Sequence, residues 1–330
     1  MKIKNSIKIF ILALFIIIAS VSAVNAFSLR DISLKFVQIS DVHTSDREDT
    51  TYKMLSSSKL LLADAIKQVN KLEGVDFVMF TGDMVDAPTD QNYNDFFYQL
   101  TDLRYPAIMA FGNHEIGGST KDKLLTTDEM LEIVKKYNKN YPFMETYYAF
   151  SPKPGFHIIT LDLTNKGGNL SNGKISPEQL SFLDKELREN QDKIIIIFQH
   201  FPVVEPFESE HHQVLNKDEY LNVIKKYSNP IIICSGHYHA AKIVHDKNII
   251  HVSTPALVTY PNAFRYIKIT SYKEKAIFDF YFYETTLKDV QAKSRASAVA
   301  INSFEGKERD RVTTITIPRS KTKKSKKEEE

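Results

Sequence analysis

Five short segments rich in Asp, Asn and His each follow a run of apolar residues. They are Asp41-Val42-His43, Gly82-Asp83-Met84-Val85-Asp86, Gly112-Asn113-His114-Glu115, Gln199-His200 and Gly236-His237-Tyr238-His239. Carboxylate, amide and imidazole groups together are suitable ligands for divalent transition metals. The pattern therefore predicts a metal site, and the chemistry of that site would depend on the bound ions.

Each segment taken alone has an ordinary structural explanation. The Asp41-x-His43 triplet can arise by chance, and an Asp after Gly82 is common in turns and helix caps. A single histidine such as His200 is often a hydrogen-bonded core residue. What needs a common cause is the recurrence of these residue types after five apolar runs. Burying so many Asp and His side chains together is costly without a cation, and a pair of divalent ions removes that cost.

The apolar runs are predicted to be strands, and the amphipathic stretches between them helices. Strands are predicted at 34–39, 77–80, 107–111, 146–150, 157–163, 194–198, 231–235, 243–245, 249–252, 266–270 and 276–283. Helices are predicted at 52–72, 92–103 and 127–137, with a fourth beginning at 176 and a fifth ending at 227. An alternating half followed by a β-rich half favours two packed sheets with helices outside. Ligands bind at the carboxyl ends of strands in such sheets, where the five segments fall.

The ordered set of five motifs resembles the calcineurin-like metallophosphoesterase family. The resemblance covers about residues 34–283 and implies an α/β fold, a four-layer α/β/β/α sandwich of two mixed sheets flanked by helices. It implies that Asp41, His43 and His239 bind one metal ion. By the same resemblance, a second ion is bound by Asn113, His200 and His237, and Asp83 bridges the two.

The resemblance also implies a reaction. A phosphate mono- or diester would be hydrolysed by a metal-bridging hydroxide, with His114 as general acid. The two ions are expected to be Mn, Fe, Zn or Ni, because these ligands accept all four. The expected substrate is a small-molecule phosphate ester, with nucleotides among the candidates. The cyclic-nucleotide phosphodiesterase branch is similar in size. Purple acid phosphatases carry a Tyr at the position of Asp86 and lack a His at the position of His43. The chain therefore departs from that subfamily at both positions.

Two other functions are alternatives to hydrolysis of small esters. One is a non-catalytic binding or scaffold protein on the same fold, and the complete motif set argues against it. The other is a nuclease. Formal net charge is only +2 and no basic stripe runs through the body of the chain, so no nucleic-acid partner is expected.

Several residues near the motifs have two plausible roles. Asp86 either orients the site or caps a helix, and Glu115 is expected to orient ligands or His114. His211 and His212 lie in a polar segment that either contacts substrate or is simply solvated. Tyr260 and Arg265 either border the pocket or are structural. Tyr238, read as part of a strand, is expected to point away from its two histidine neighbours.

The amino terminus is typical of a targeting segment. Lys2, Lys4 and Lys8 precede an apolar run, and a small-x-small pattern ends at Ala26. Residues 1–26 are thus predicted to be a cleaved signal peptide or a retained membrane anchor, which is the only membrane contact expected. The body would be extracytoplasmic, secreted or periplasmic. A phosphoesterase domain at 34–285, an extension at 286–318 and a charged tail at 319–330 complete the predicted organisation. The single Cys234 is expected to be buried.

Overall fold

The computed structural model describes residues 31–118, 120–137, 145–298 and 301–319. The predicted targeting segment at 1–26 and, beyond residue 319, the predicted charged tail lie outside these residues. Within the described part of the chain, no helix is both long enough and apolar enough to cross a membrane.

The first sheet combines a parallel half with an antiparallel half. Its strands are β1 (Ile32–Ile39), β2 (Phe77–Thr81), β3 (Ala107–Ala110), β10 (Ala263–Ser271), β11 (Lys275–Glu284) and β12 (Thr313–Pro318). They lie in the order β12-β11-β10-β1-β2-β3. The pairs β1/β2 and β2/β3 are parallel, whereas β10/β11 and β11/β12 are antiparallel. The predicted extension at 286–318 thus supplies an edge strand to this sheet.

The second sheet has a parallel centre and antiparallel edges. Its strands are β4 (Tyr148–Phe150), β5 (Phe156–Thr160), β6 (Ile194–Phe198), β7 (Ile231–Ser235), β8 (Lys242–Asp246) and β9 (Ile249–Ser253), in the order β4-β5-β6-β7-β9-β8. Every residue of β6 and β7 is buried, as their continuous apolar sequences predict. Cys234 in β7 is buried too, which raises the pKa of its thiol.

Eight α-helices accompany the sheets within the described residues. They are α1 (Ser58–Val69), α2 (Asp90–Leu100), α3 (Thr127–Tyr137), α4 (Pro177–Glu189), α5 (Lys217–Ile224), α6 (Lys288–Ser297), α7 (Ile301–Glu305) and α8 (Glu308–Arg311). Ser176 caps α4, with its hydroxyl accepting a hydrogen bond from the Gln179 N–H and Pro177 at the first helical position. α2 begins after Thr89, whose hydroxyl accepts from the Asn92 N–H.

Three apolar layers show how the helices and sheets are stacked. Residues of α1, α2 and α3 pack on the first sheet, and residues of α4 and α5 pack on the second. Between the sheets, the Phe36 ring lies 5.2 Å from the Phe198 ring in an edge-to-face arrangement. The order is therefore helix, sheet, sheet, helix, and the predicted four-layer fold is confirmed.

Candidate metal centre

The predicted ligands lie just beyond the carboxyl ends of parallel strands from both sheets. Asp41 and His43 follow β1, Asp83 follows β2, and Asn113 begins a short 3₁₀ turn after β3. His200 follows β6 in the other sheet, and β7 leads to His237 and His239. The parallel strands bring these side chains to one edge of the sandwich.

The backbone at this edge is unusual. Five residues predicted to be ligands have positive φ angles: Asp41 (51°), His43 (45°), Asp83 (51°), His237 (68°) and His239 (55°). Left-handed backbone costs about 1–3 kcal/mol for a residue with a side chain and is found mostly where the surrounding structure enforces it. Hydrogen bonds here hold the loops together, since His43 N donates to Asp83 O at 2.9 Å and Asp41 N to Gly82 O at 3.1 Å.

Glycine is required where the loop after β7 crosses the loop after β1. A Cβ on Gly236 would collide with the Ser40 hydroxyl oxygen and with Asp41 Oδ2. The close approach lets the His237 N–H donate to the Asp41 carboxylate at 3.1 Å. Gly236 therefore brings the last two histidines to the first aspartate.

The first group of side chains consists of Asp41, His43 and His239. One potential ligand atom from each lies within 4.8 Å of the other two, and all three residues are buried. His239 Nε2 is 3.3 Å from Asp41 Oδ1, while its Nδ1 is 2.9 Å from the Thr259 hydroxyl. Burial opposes ionisation of Asp41, but the neighbouring His239 and His200 rings lower the pKa of its carboxyl.

The second group consists of Asp83, His200 and His237, again with ligand atoms within 4.8 Å of one another. His200 Nδ1 donates to Thr81 O at 2.9 Å, and His237 Nε2 donates to Ser171 O at 2.9 Å. Their other nitrogens, His200 Nε2 and His237 Nδ1, face each other 3.1 Å apart. Burial alone would lower the pKa of His200. The negative charges of Asp83 and Asp41 together outweigh the effect of burial and raise this pKa to about 9. The local field strongly favours a cation here.

Asp83 lies between the two groups. Its Oδ2 is 3.6 Å from His43 Nε2 and 3.2 Å from His200 Nε2. Its Oδ1 accepts a hydrogen bond from the His114 N–H at 2.9 Å. One carboxylate oxygen thus faces ligand atoms of both groups, which is the placement that a bridging carboxylate requires.

Two buried atoms test whether metal ions fit these residues. Among the described residues, neither Asn113 Oδ1 nor His43 Nε2 has a hydrogen-bond partner. A buried acceptor without a partner costs about 1–3 kcal/mol, and coordination to a divalent ion would satisfy it. Burial, followed by the positive charges of Lys53 and His114, lowers the pKa of His43 to about 3, so this ring is neutral, as a ligand must be. Oxygen and imidazole donors in this proportion suit divalent transition metals. The residues present therefore fit a two-ion centre.

Glu115 holds the loops rather than facing the centre. Its carboxylate accepts hydrogen bonds from Gly112 N at 2.6 Å, Asp83 N at 2.7 Å and Met84 N at 2.8 Å. Burial and the nearby charge of Asp83 raise the pKa of this carboxyl to about 8. Glu115 thereby ties the loop after β3 to the loop after β2, in agreement with the expected orienting role.

Asp86 also belongs to the site, and the helix-cap alternative is wrong because Thr89 caps α2. Asp86 Oδ2 accepts from Arg47 Nη1 at 2.6 Å, and Oδ1 lies 3.6 Å from His43 Nδ1. Its backbone oxygen accepts from His114 Nδ1 at 2.6 Å. That bond leaves His114 Nε2 as the nitrogen available to a substrate.

Lys53 is a site residue that the sequence did not reveal. Its ammonium nitrogen lies 3.4 Å from His114 Nε2 and 3.5 Å from His43 Nδ1. Burial lowers the pKa of this amine, while Asp83, Asp86 and Asp41 oppose that shift. Lys53 lies in an irregular loop between β1 and α1, so the helix predicted at 52–72 begins too early, and no motif of the sequence includes this lysine.

The predicted orientation of Tyr238 is wrong. β7 ends at Ser235, and the positive φ angles at His237 and His239 replace the alternation of a strand. Tyr238 lines the same cavity as both histidines. The other residues of that cavity are Tyr52, Phe207, Ser209, His212 and Phe304.

The residues with two plausible roles can now be separated. Both His211 and His212 are exposed, but His212 lines the cavity, with its ring 5.3 Å from the His237 ring, whereas His211 is not part of the cavity wall. Arg265 is fully buried and donates to the backbone oxygens of Asp310 and Ser253, so its role is structural. The Tyr260 hydroxyl donates to Glu305 at 2.8 Å, away from the ligand groups.

The sequence and the fold were compared with known proteins. Residues 34–241, more than half of the chain, match a family model described as calcineurin-like phosphoesterase. A probable glycerophosphodiester phosphodiesterase from Arcobacter nitrofigilis is 28% identical over 208 residues, which cover 62% of this chain and 71% of the relative. A probable cyclic nucleotide phosphodiesterase from Rhodopseudomonas palustris is 26% identical over 218 residues, covering 62% and 72%.

A solved structure shares the fold. A dimetal phosphatase from Danio rerio superposes with a TM-score of 0.60 at 18% identity, covering 77% of this chain and 99% of that chain. All seven predicted ligands and His114 lie inside the region that matches the family model.

Proposed function

The chain belongs to the calcineurin-like phosphoesterase family and is a hydrolase of phosphate esters with a binuclear metal centre, and we propose that its preferred substrates are small phosphodiesters. The observation that carries the two-ion hydrolysis is the position of Asp83 Oδ2, between His43 Nε2 and His200 Nε2. Two relatives whose names specify phosphodiesterases support the preference for diesters.

In this proposal the seven side chains have separate tasks. Asp41, His43 and His239 would hold one ion. Asn113, His200 and His237 would hold the other, and Asp83 would contribute to both. Bound ions, chosen from Mn, Fe, Zn and Ni, would supply a water-derived nucleophile at neutral pH and positive charge for the phosphoryl oxygens. Partners outside the centre fix the histidines, as Thr81 O does for His200 and Thr259 does for His239.

His114 and Lys53 act on the substrate from the side of the pocket. The bond from His114 Nδ1 to Asp86 O fixes the ring, so a proton on Nε2 can be passed to the leaving oxygen. The side chain of His114 is 22% exposed, which leaves it accessible to an ester. The Lys53 ammonium, 3.4 Å from that nitrogen, is placed to hold a non-bridging phosphoryl oxygen.

A pair of chromogenic esters tests the proposed specificity. With Mn²⁺ added, kcat/KM should be higher for bis-p-nitrophenyl phosphate than for p-nitrophenyl phosphate, and chelation of the metal should abolish both reactions. A higher kcat/KM for the monoester would refute the diester preference while leaving the family activity intact.

The proposed location is extracytoplasmic, with the substrate met outside the cytoplasm. Support comes from the sequence of residues 1–26, with three lysines before an apolar run and a small-x-small pattern ending at Ala26. Amino-terminal sequencing of protein from its native host should find Phe27 as the first residue. A protein that retains Met1 and sediments with membranes would instead indicate an anchor.

A further inference from the structure

A cavity of about 160 Å³ opens beside the candidate metal ligands. A cavity of about 150 Å³ can bind benzene, so this one has room for a single planar ring. His237 and His239 form part of its wall, so a group held in the cavity lies next to an ester bound at the metal centre. The cavity is therefore placed to receive one of the organic groups of the ester.

Most of the remaining wall is aromatic. The Phe207 ring lies 5.1 Å from the Tyr238 ring and 6.3 Å from the Phe304 ring. The Tyr52 ring lies 5.9 Å from the His239 ring on the ligand side. Aromatic walls pack best against another planar ring, in stacked or edge-to-face geometry.

One buried polar atom in this wall has no hydrogen-bond partner within the described part of the chain. Tyr238 is only 4% exposed, and among the described residues its hydroxyl makes no hydrogen bond. A buried hydroxyl without a partner is costly, so a ligand that carries its own polar atoms would relieve it. This observation favours a planar ring with hydrogen-bonding groups over a purely hydrocarbon group.

Phe304 comes from α7, outside the region that matches the family model. It is fixed against the ligand loop, because Ala241 N donates to Phe304 O at 2.9 Å. Gly306 has a φ of 67°, and a Cβ there would collide with Ala241 O. Glu305 accepts from the Tyr260 hydroxyl at 2.8 Å and lies 2.9 Å from Arg311 Nη2. The backbone that carries Phe304 is thus held in place by the loop that follows His239 and by contacts of its neighbour Glu305.

The segment after α7 is tied to both sheets. Arg265 of β10 donates to Asp310 O at 2.7 Å and to Ser253 O of β9 at 3.1 Å. Asp310 Oδ1 accepts from Ile243 N of β8 at 3.0 Å. Breaking these hydrogen bonds would leave a buried guanidinium charge without its acceptors, which is costly. The segment is therefore an integral part of the fold.

We propose that the cavity is a subsite for a planar aromatic group of the phosphate ester, and that Phe304 determines specificity for that group. The inference rests on the proposed function, because it takes the reacting phosphate to lie at the metal centre. A nucleobase and a simple aryl ester present the same planar chemistry to the cavity.

Kinetics of Phe304 variants on two diesters test the subsite. The aromatic substrate is bis-p-nitrophenyl phosphate, and the aliphatic one is glycerophosphoethanolamine. Comparing each variant with wild type on the same substrate removes the difference in chemical reactivity. Phe304→Ala should lower kcat/KM for the aromatic diester about 10-fold, mainly through KM, since one lost ring contact is worth roughly that factor. The aliphatic diester should change less than about 2-fold, and Phe304→Leu should fall between.

Val312→Ala is the matched control. Val312 belongs to the same segment, is 55% exposed and does not line the cavity, so both substrates should be turned over as by wild type. Equal losses on both substrates in Phe304→Ala, or no loss on either, would overturn the proposal. A loss confined to the aliphatic diester would overturn it as well.

A binding measurement separates the subsite from the proposed function. Phenylphosphonate and methylphosphonate cannot be hydrolysed at their P–C bond, and each is titrated calorimetrically into Mn²⁺-loaded wild type and Phe304→Ala. Phenylphosphonate should bind wild type about 10-fold more tightly than methylphosphonate, and the variant should lose most of that difference. Hydrolysis of esters together with equal affinities for the two phosphonates would refute the subsite alone. No hydrolysis and no binding of either phosphonate would remove the function and the subsite together.

To distinguish nucleobases from simple aryl groups, the titration is repeated with adenosine 5′-methylenephosphonate. Tighter binding than phenylphosphonate in wild type, lost in Tyr238→Phe, would assign the unpartnered hydroxyl to a base. Equal binding in wild type and Tyr238→Phe would leave an aryl group as the occupant.

Discussion

The interior of β6 and the loops at its carboxyl edge follow opposite rules. β6 reads Ile-Ile-Ile-Ile-Phe, every residue is buried, and its backbone is extended. Two residues later lies His200, also fully buried but polar. Nearby, Asp41 and Asp83 combine buried carboxylates with left-handed backbone. One region lowers its free energy by burying apolar surface, and the other accumulates buried charge and strain.

The difference separates stability from function. Buried carboxylates and left-handed backbone each raise the free energy of the folded chain. They persist because the apolar interior of the two sheets provides the stability that this edge costs. Substitutions at the edge should therefore change activity far more than folding, and substitutions in the interior should do the reverse.

The largest effect is expected at His114. Its Nε2 is the ring nitrogen not bonded to Asp86 O, and removing a general acid typically lowers the rate about 10²- to 10⁴-fold. His114→Ala should lower kcat by that factor for an ester with a poor leaving group, with the metal content measured by elemental analysis unchanged. Wild-type kcat in the variant would remove His114 from the mechanism.

Asn113 gives the sharpest contrast between activity and stability. Its Oδ1 has no hydrogen-bond partner among the described residues, so Asn113→Ala has little folding energy to lose there. In the metal-free protein, we expect the free energy of unfolding, measured by thermal denaturation, to change by less than about 1 kcal/mol. Since a metal ligand is removed, kcat/KM should fall about 100-fold or more. Loss of stability with activity retained would contradict the assignment.

Ile196 tests the other side of the comparison. It is fully buried in the middle of β6, and Ile196→Ala should reduce the free energy of unfolding by about 2–5 kcal/mol. Below its lowered Tm, the variant should keep kcat and KM close to wild type. Ile196→Val is the control and should cost only about 0.5–1.5 kcal/mol. A large loss of kcat in folded Ile196→Ala would show that interior and edge are not separable.

Lys53 should have the smallest effect of the four. Loss of its positive charge beside the phosphoryl oxygens should raise KM about 10-fold in Lys53→Met, with a smaller change in kcat. Lys53→Arg keeps the charge and should recover most of the affinity. The exposed Lys71 gives a matched control, and Lys71→Met should behave as wild type. A fall in kcat with unchanged KM would assign Lys53 to the protonation step instead.

Elements and ligand sets were predictable where the sequence carries a strong local pattern. The apolar sequences at 194–198 and 231–235 gave two strands with correct ends. The motifs also placed the ligand candidates, because parallel strands deliver their carboxyl ends to one edge. Two of the three groups that the structure brings together, Asp41–His43–His239 and Asp83–His200–His237, contain residues that the family resemblance implied, and the third joins His43, Asp86 and His114.

What could not be predicted depends on irregular backbone and on distant contacts. The alternation of a strand does not hold at Tyr238, because it lies in a loop whose neighbouring residues His237 and His239 have positive φ angles. Lys53 and Phe304 reach the site from a loop and from a short helix, and no periodicity connects either of them to the motifs. Such contacts are fixed by tertiary packing, as the Ala241–Phe304 hydrogen bond illustrates.

The most direct test counts metal ions. Wild-type protein and Asp83→Ala are stripped with chelator, loaded with Mn²⁺, desalted and analysed by elemental analysis against protein concentration. Because Asp83 Oδ2 faces ligand atoms of both groups, wild type should retain two ions per chain and Asp83→Ala fewer than one. Wild type that retains none or only one, or an Asp83→Ala variant that still holds two, would contradict a centre built around this carboxylate.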